Sequence, residues 1–368
     1  MKLTIEKNRL SHSLGVVAKG MSSRTTLPIL SSVHLEAQQS SLVFHTTDLE
    51  VSISHSAEAL IEQEGATVVP GRLFADIVKS LPDAAVTLEQ TNEGLRVLCM
   101  DCEFLLKTLN PSDFPLFPQA DTQKLISLPA AQFSSMIKKV TKAVSKDESR
   151  AVLTGVFLNV EGAELQMVAT DSYRLAIVES KLDLAPEEAI SLIVPGDILD
   201  EIARLVTSEE TVSVGEGENQ IIFTFSNTLF ITRKIEGNYP NYKAIIPVEK
   251  NCTAVASTAV LLSAVKRIAL TAQVHTPLRF SFSSEDQTIE ISSQTQDVAR
   301  AKEKIPAQIE GAPLDIGFNH QYILDGLNAI DTKEVLFEAQ TSLKPGILKT
   351  VGEDYFFYLT MPVRIEAN

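Results

Sequence analysis

The chain has 368 residues, 44% of them hydrophobic, which allows two or three domains with ordinary cores and excludes disorder for its bulk. Its 32 Lys and Arg stand against 47 Asp and Glu, a formal charge of −15 that taken alone argues against a nucleic-acid binder. No run of 18 apolar residues offers a membrane helix, and the stretch from Met1 to Lys7 lacks the apolar core of a signal peptide, so the chain reads as cytoplasmic.

A helix is predicted over residues 7–20, carrying Lys7, Arg9 and Lys19. Leu30-Ser-Ser-Val33-His-Leu35 and Thr47-Asp48 follow, and Val68-Val69-Pro70-Gly71 opens a second helical stretch. Cys99-Met100-Asp101-Cys102 has the spacing of a redox or zinc pair. The flanking Leu95–Leu98 and Phe104–Leu106 read as strand, where positions three apart face opposite sides, so neither role is expected. A Pro-bearing stretch from Asn110-Pro111 to Pro118 then marks a domain limit.

Past it the pattern begins again. A helix is predicted over 130–146, and Leu153-Thr-Gly-Val156-Phe-Leu158 echoes the first hexapeptide 123 residues on, as Thr170-Asp171 echoes Thr47-Asp48. Ile193-Val194-Pro195-Gly196 and Asn238-Tyr239-Pro240 repeat Val68–Gly71 and Asp113-Phe114-Pro115 at an offset of 125. Alternation in Thr211–Val214 and Ile221–Phe225, with Gly215-Glu216-Gly217-Glu218 between, predicts a hairpin. A third helix is predicted over 258–273, and Ile316-Gly317-Phe318-Asn319 leading into Tyr322–Leu327 is a fainter third copy of Val194–Ile202. Three domains are therefore expected, at 1–120, 121–248 and 249–368. Each is of α+β class, with helices on one face of largely antiparallel sheets.

The first helix of each repeat collects positive charge. Lys7, Arg9, Lys19, Lys138, Lys139, Lys142, Lys146, Lys266 and Arg267 lie in the three stretches with no acid among them, leaving 23 bases against 47 acids elsewhere. At 100° per residue Phe133, Met136, Ile137, Val140 and Val144 share one face, with the four lysines of that helix opposite. Such stripes suit a polyanion. Phosphate neutralisation by Lys and Arg needs no base-specific geometry and weakens steeply with salt.

Five segments, Arg24-Thr-Thr-Leu-Pro-Ile-Leu30, Ala169-Thr-Asp-Ser-Tyr-Arg-Leu-Ala176, Glu236-Gly-Asn-Tyr-Pro-Asn-Tyr242, Gly317-Phe-Asn319 and Met361-Pro-Val-Arg364, carry a resemblance. Taken in order along a thrice-repeated chain, they resemble the bacterial DNA polymerase III beta subunit family, the β sliding clamps. That resemblance implies three tandem copies of a DNA-clamp domain, helices inside and antiparallel sheets outside, closing as a head-to-tail homodimer into a six-domain ring. It also implies encirclement of double-stranded DNA and tethering of the replicative polymerase, with no cofactor. Twelve helices of roughly 10 Å diameter would enclose a circle about 38 Å across between axes, about 28 Å clear, which admits a duplex with water to spare.

The resemblance further implies DNA contacts at Arg24, Arg72 and Arg150 beside the helix bases Lys138, Lys139, Lys142, Lys146, Lys266 and Arg267. A cleft for short linear peptides of DNA polymerase III, other polymerases, the clamp loader and repair proteins is implied at Leu153, Thr170, Ser172, Tyr173, Arg174 and Leu175. Its remaining positions are Pro240, Ile245, Asn319, Tyr322, Leu343, Pro345, Met361, Pro362, Val363 and Arg364. Asn319 and Arg174 are expected to supply oriented hydrogen bonds there. Ser172-Tyr173 departs from a Gly-His pair common in the family. For ring closure the implied positions are Phe104 and Leu106 opposite Ala269 and Leu270.

An enzyme is not expected. Histidines at 12, 34, 45, 55, 275 and 320 show no His-x-x-x-His spacing, so no metal site is expected, and no Gly-x-Ser-x-Gly elbow, P-loop or dinucleotide fingerprint occurs. Asp48 and Asp171, as Thr-Asp pairs after strands, read as turn residues rather than paired carboxylates. The alternative reading is an acidic protein-interaction scaffold that encircles no DNA.

Overall fold

In a computed structural model of the chain, the described residues are 1–22, 25–120, 125–183, 185–186, 189–273, 276–295, 299–352 and 355–365. Six α-helices punctuate antiparallel strands in these residues: α1 Lys7–Val17, α2 Gly71–Ser80, α3 Ala130–Val140, α4 Gly196–Leu205, α5 Thr258–Ala269 and α6 His320–Asn328. Contacts divide the chain into two compact units, residues 1–131 with 204–234, and 132–203 with 235–368.

The first unit holds a five-stranded and an eight-stranded sheet. The smaller runs Leu60–Gln63, Lys2–Glu6, Ala85–Thr91, Gly94–Cys99, Cys102–Leu106. The larger runs Ile126–Pro129, Thr211–Glu216, Gln220–Phe225, Thr228–Arg233, Val51–Glu58, Ser41–Thr47, Ser32–Gln38, Gly65–Pro70. Within it, strands of the middle repeat extend those of the first, because Thr228–Thr232 pairs antiparallel with Val51–His55. Helix α1 rests on Ser41–Thr47 and Val51–Glu58, beside α2, and buries Leu10, Leu14 and Val17 at helical spacing.

The second unit holds a nine-stranded and a four-stranded sheet. In the nine-stranded sheet the order is Ile190–Pro195, Gly155–Glu161, Glu164–Thr170, Arg174–Lys181, Tyr355–Thr360, Gly346–Thr350, Glu334–Ala339, Cys252–Ser257, Gln308–Gly311. Here the other strands of the middle repeat extend those of the third, through Arg174–Glu179 paired with Tyr355–Thr360. The four-stranded sheet runs Ala299–Pro306, Thr288–Thr295, Leu278–Ser283, Leu314–Phe318. Helix α5 packs beside α6 and against Thr288–Thr295 and Ala299–Pro306, burying Leu261, Val265 and Ile268.

Two expectations are corrected. The helix read over 130–146 ends at Val140 and passes through a 3₁₀ turn at Thr141–Ala143, so Lys146 lies beyond it. The β-branched Val140, Thr141 and Val144 lose rotamer freedom in a helix and do not prolong one. Cys99 and Cys102 are not on opposite faces of one strand. They are cross-strand partners flanking a two-residue hairpin turn, with Met100 at φ 51°, and directly paired residues share a face. Both thiols are free, and burial raises the Cys99 pKa.

Candidate functional site

The basic residues separate by environment. Lys138, Lys142 and Lys146 on and after α3, and Lys266 near the end of α5, are exposed and make no ion pair among the described residues. Arg72, in the first turn of α2, is likewise exposed. Lys138, Lys139, Lys266 and Arg267 occupy last turns, where the helix dipole favours cations whatever lies outside. Arg267 is exposed but engaged with Glu303, its Nε donating at 2.9 Å. Arg150 spans Asp147, at 3.2 Å, and Ser172 Oγ, at 2.9 Å. Arg24 lies outside the described residues.

Lys139 departs from the outward stripe. Its side chain is only 10% exposed, its ammonium is 3.0 Å from Asp331, and it lies 6.0 Å from the centroid of Phe356. The one-helix projection could not anticipate the neighbouring acid.

A second set converges within the 132–203 and 235–368 unit. At the turn before Arg174–Lys181, Asp171 Oδ1 accepts from the backbone N–H of Tyr173 (2.9 Å) and Arg174 (3.0 Å), while Ser172 sits at φ 78°. The equivalent turn in the first repeat is built alike, with Asp48 accepting from Glu50 (3.0 Å) and Val51 (2.7 Å) and Leu49 at φ 77°. Both aspartates thus serve as turn residues.

Arg174 is the hub. Its Nε donates to Asp171 Oδ2 at 3.0 Å, its Nη1 to Asp325 and, at 3.5 Å, to the Tyr358 hydroxyl, and its guanidinium lies 4.5 Å over the Tyr322 ring. Burial alone would lower its pKa, but Tyr358, Asp325 and Asp171 outweigh that and raise it. The donors expected to face a peptide are therefore largely spent on internal partners. At Asn319 it is the acceptor that is engaged, its Oδ1 capping α6 by accepting from Gln321 N at 2.8 Å and Tyr322 N at 3.4 Å.

The C-terminal segment is pinned beside this hub. Met361 N donates to Tyr173 O and Val363 N to Gly317 O, each at 2.8 Å. Gly317 is required for that approach, since a Cβ there would stand 2.6 Å from Val363 O and 2.5 Å from Ile365 Cγ2. Thr170–Arg174, Gly317–Tyr322 and Met361–Val363 are thereby brought together. On these segments Tyr173, Met361 and Val363 present 59%, 41% and 37% of their surface. Ile245 and Leu343 are also exposed, as are Ser172, Pro240 and Arg364, while Pro362 is half-buried.

Four expected contacts are not at the surface. Leu175 is fully buried in a cluster with Val168, Ile177, Ile347, Phe357 and Leu359. Thr170 is buried, donating to Arg174 O at 2.6 Å, and Leu153 and Pro345 are buried too. Sequence reading missed Asp171, Asp325 and Tyr358 as the partners that orient Arg174; the only local signal was Asp171 three residues before it.

At the ring-closure positions Phe104 (36%) and Leu270 (85%) are exposed and Ala269 is half-buried. Leu106 is 3% exposed and belongs to its own domain's core, so it is corrected; Leu105, 45% exposed, lies on the opposite face of the strand from Phe104.

Residues 1–118, 127–241 and 243–364 match the N-terminal, central and C-terminal domains of the DNA polymerase III beta subunit. The chain is 34% identical over 379 residues to the beta sliding clamp of Streptomyces coelicolor, covering all of both chains. It is 33% identical over 376 residues to that of Bacillus subtilis, covering 99% of this chain and 100% of the other. A crystal structure of the DNA polymerase sliding clamp from Bacillus subtilis superposes with a TM-score of 0.94 at 32% identity over the whole of both chains. One of the DNA polymerase III subunit beta from Pseudomonas aeruginosa gives 0.91 at 28% identity, over 99% of this chain and 100% of that one.

Proposed function

The chain belongs to the DNA polymerase III beta subunit family and functions as a DNA sliding clamp, and we propose that two copies close head to tail into a ring around duplex DNA. Three domains per copy, with limits near 120 and 248, would make the ring six-fold in its modules. The observation that carries this reading is the concentration of base on three equivalent helices of an acidic chain, with Lys138, Lys142, Lys146 and Lys266 exposed.

Phosphate contact by such lysines is sequence-independent. Loose, water-mediated contacts let the ring move along the duplex, whereas bidentate base contacts would pin it. Retention is then topological, because leaving closed DNA requires a subunit seam to open. The seam is supported by two unpaired strand edges, Cys102–Leu106 and Ala299–Pro306. The second carries Arg300, Lys302 and Lys304 at alternate, exposed positions, while the one acid of the first, Glu103, is paired with Arg96 of its own sheet at 2.7 Å.

The apolar patch of Tyr173, Met361 and Val363 is the docking place for short linear peptides of polymerases, the clamp loader and repair proteins. We infer no enzymatic activity, since Asp48 and Asp171 are committed to backbone turns. No helix among the described residues is long and apolar enough to cross a membrane, which fits a reading as a cytoplasmic replication protein.

A loading assay tests the mechanism. Clamp loaded onto nicked circular DNA should be retained through washing and released when the circle is linearised. Equal retention on both forms would reduce the protein to an ordinary DNA binder, and none on either would favour the acidic scaffold.

A further inference from the structure

Replication leaves unused a cluster on the eight-stranded sheet of the first unit. His34 and His45 are direct cross-strand partners, and Glu36 stands two residues beyond His34, so all three share one face. One ligating atom from each lies within 4.8 Å of the other two, with His45 Nε2 and Glu36 Oε2 4.0 Å apart. The histidine ring centroids are 5.6 Å apart.

What surrounds the cluster points to a ligand. The Nδ1 atoms of His34 and His45 are both buried with no hydrogen-bond partner among the described residues. Each such orphan costs about 1–3 kcal/mol, so both imidazoles of the cluster keep hydrogen-bonding or ligating capacity that the fold leaves unused. Phe114 and Phe117 face the rings, at centroid distances of 5.3 Å from His34 and 5.0 Å from His45, which limits access of water.

We propose that His34, Glu36 and His45 form a binding site for a divalent first-row transition ion of the zinc type. Two imidazole nitrogens and one carboxylate oxygen are borderline donors that suit such an ion and leave a position for water. Metal–nitrogen bonds of about 2.0–2.1 Å put tetrahedral ligand atoms roughly 3.3 Å apart. The three side chains would therefore close by about 1.5 Å at most, which rotamer adjustment on a fixed sheet supplies. A bound ion would cross-link Ser32–Gln38 to Ser41–Thr47 beneath the two phenylalanines, a structural role separate from DNA or peptide contact.

The full chain, free of any affinity tag, is titrated with Co²⁺ and then Zn²⁺. The expected result is a single saturating equivalent of Co²⁺ with visible d–d absorption, bleached by stoichiometric Zn²⁺. Since outer-shell partners alone are worth about 10–100-fold in metal affinity, His34→Asn and His45→Asn should each weaken Zn²⁺ binding by at least that factor, while His12→Asn leaves it unchanged. Glu36→Gln, on a side chain 41% exposed, provides a variant with little risk to the fold, checked by far-UV circular dichroism. Absence of saturable uptake by the wild-type chain, or uptake unaltered in both Glu36→Gln and His34→Asn, overturns the proposal.

Discussion

Lys139 and Asp331 form an ion pair of 3.0 Å, with the lysine side chain 10% exposed, its ammonium 6.0 Å from the Phe356 ring centroid, and the aspartate half in solvent. Lys139 therefore works as much by packing as by charge. Lys139→Ala should cost about 1–2 kcal/mol in urea unfolding, and should weaken DNA retention less than removal of either neighbouring exposed lysine. A stability unchanged within error, with retention abolished, would reassign this residue to the DNA surface.

Lys138, Lys142 and Lys266 should behave in the opposite way. Each is exposed, so charge reversal to Glu should leave the melting temperature nearly unchanged. Retention on nicked circles should be lost, and in a direct binding titration each phosphate contact removed should lower the salt slope by about 1. A slope identical to wild type in the triple variant contradicts the charge argument.

Arg174 holds two carboxylates and a phenol in a nearly dry setting, its own side chain 10% exposed. Arg174→Ala strands Asp171 and Asp325, and a loss of about 3–5 kcal/mol is expected. Gly317→Ala is a gentler probe, because the nearest atoms to its Cβ belong to the C-terminal segment, with the side chain of Pro277 next. It should unseat Val363 and weaken peptide affinity in fluorescence anisotropy while the circular dichroism spectrum stays intact. Full peptide affinity in Gly317→Ala would mean that the Met361–Val363 strip is not part of the pocket.

The repeats, the helix stripes and both Thr-Asp turns were legible because each is written in local order. Asp171 and Asp48 bond N–H groups two and three residues on, a distance that sequence spacing reports. What stayed hidden depends on pairing between distant strands. His34 and His45 sit 11 apart in sequence and meet only because a hairpin folds them together, so a search for helical zinc spacing passes over them. Cys99 and Cys102 were misread for the same reason, since the turn lies between them rather than a strand through them. Leu106 follows three exposed residues on an edge strand, and only its burial shows that it points inward.

At the subunit seam, Leu270 is 85% exposed and Phe104 and Leu105 are 36% and 45% exposed, a large apolar outlay for any free monomer. Leu270→Asp should shift light scattering at micromolar concentration from dimer to monomer without loss of secondary structure. Leu106→Ala should instead destabilise the chain by about 2–5 kcal/mol as a core truncation. A wild-type chain found only as monomer at that concentration would end the ring mechanism.

His55 offers a stability measurement with a defined sign. It is buried on Val51–Glu58, its Nδ1 2.9 Å from Thr228 Oγ1 on the paired strand, with the His12 ring 6.0 Å away. Burial, and then the proximity of His12, lower its pKa from 6.5 to about 4. Between those values the unfolded chain binds a proton that the folded chain refuses, so stability rises with pH across this window. The contribution is complete above pH 6.5 and is lost as pH falls toward about 4, amounting to roughly 3 kcal/mol. Other groups titrate in the same range, so the informative quantity is the difference between wild type and His55→Asn. Asparagine keeps a polar atom near Thr228 but takes up no proton, and its curve of unfolding free energy should be flatter between pH 6.5 and 4. Parallel curves would show that His55 is charged in the folded sheet, with Thr228 or solvent compensating for its burial.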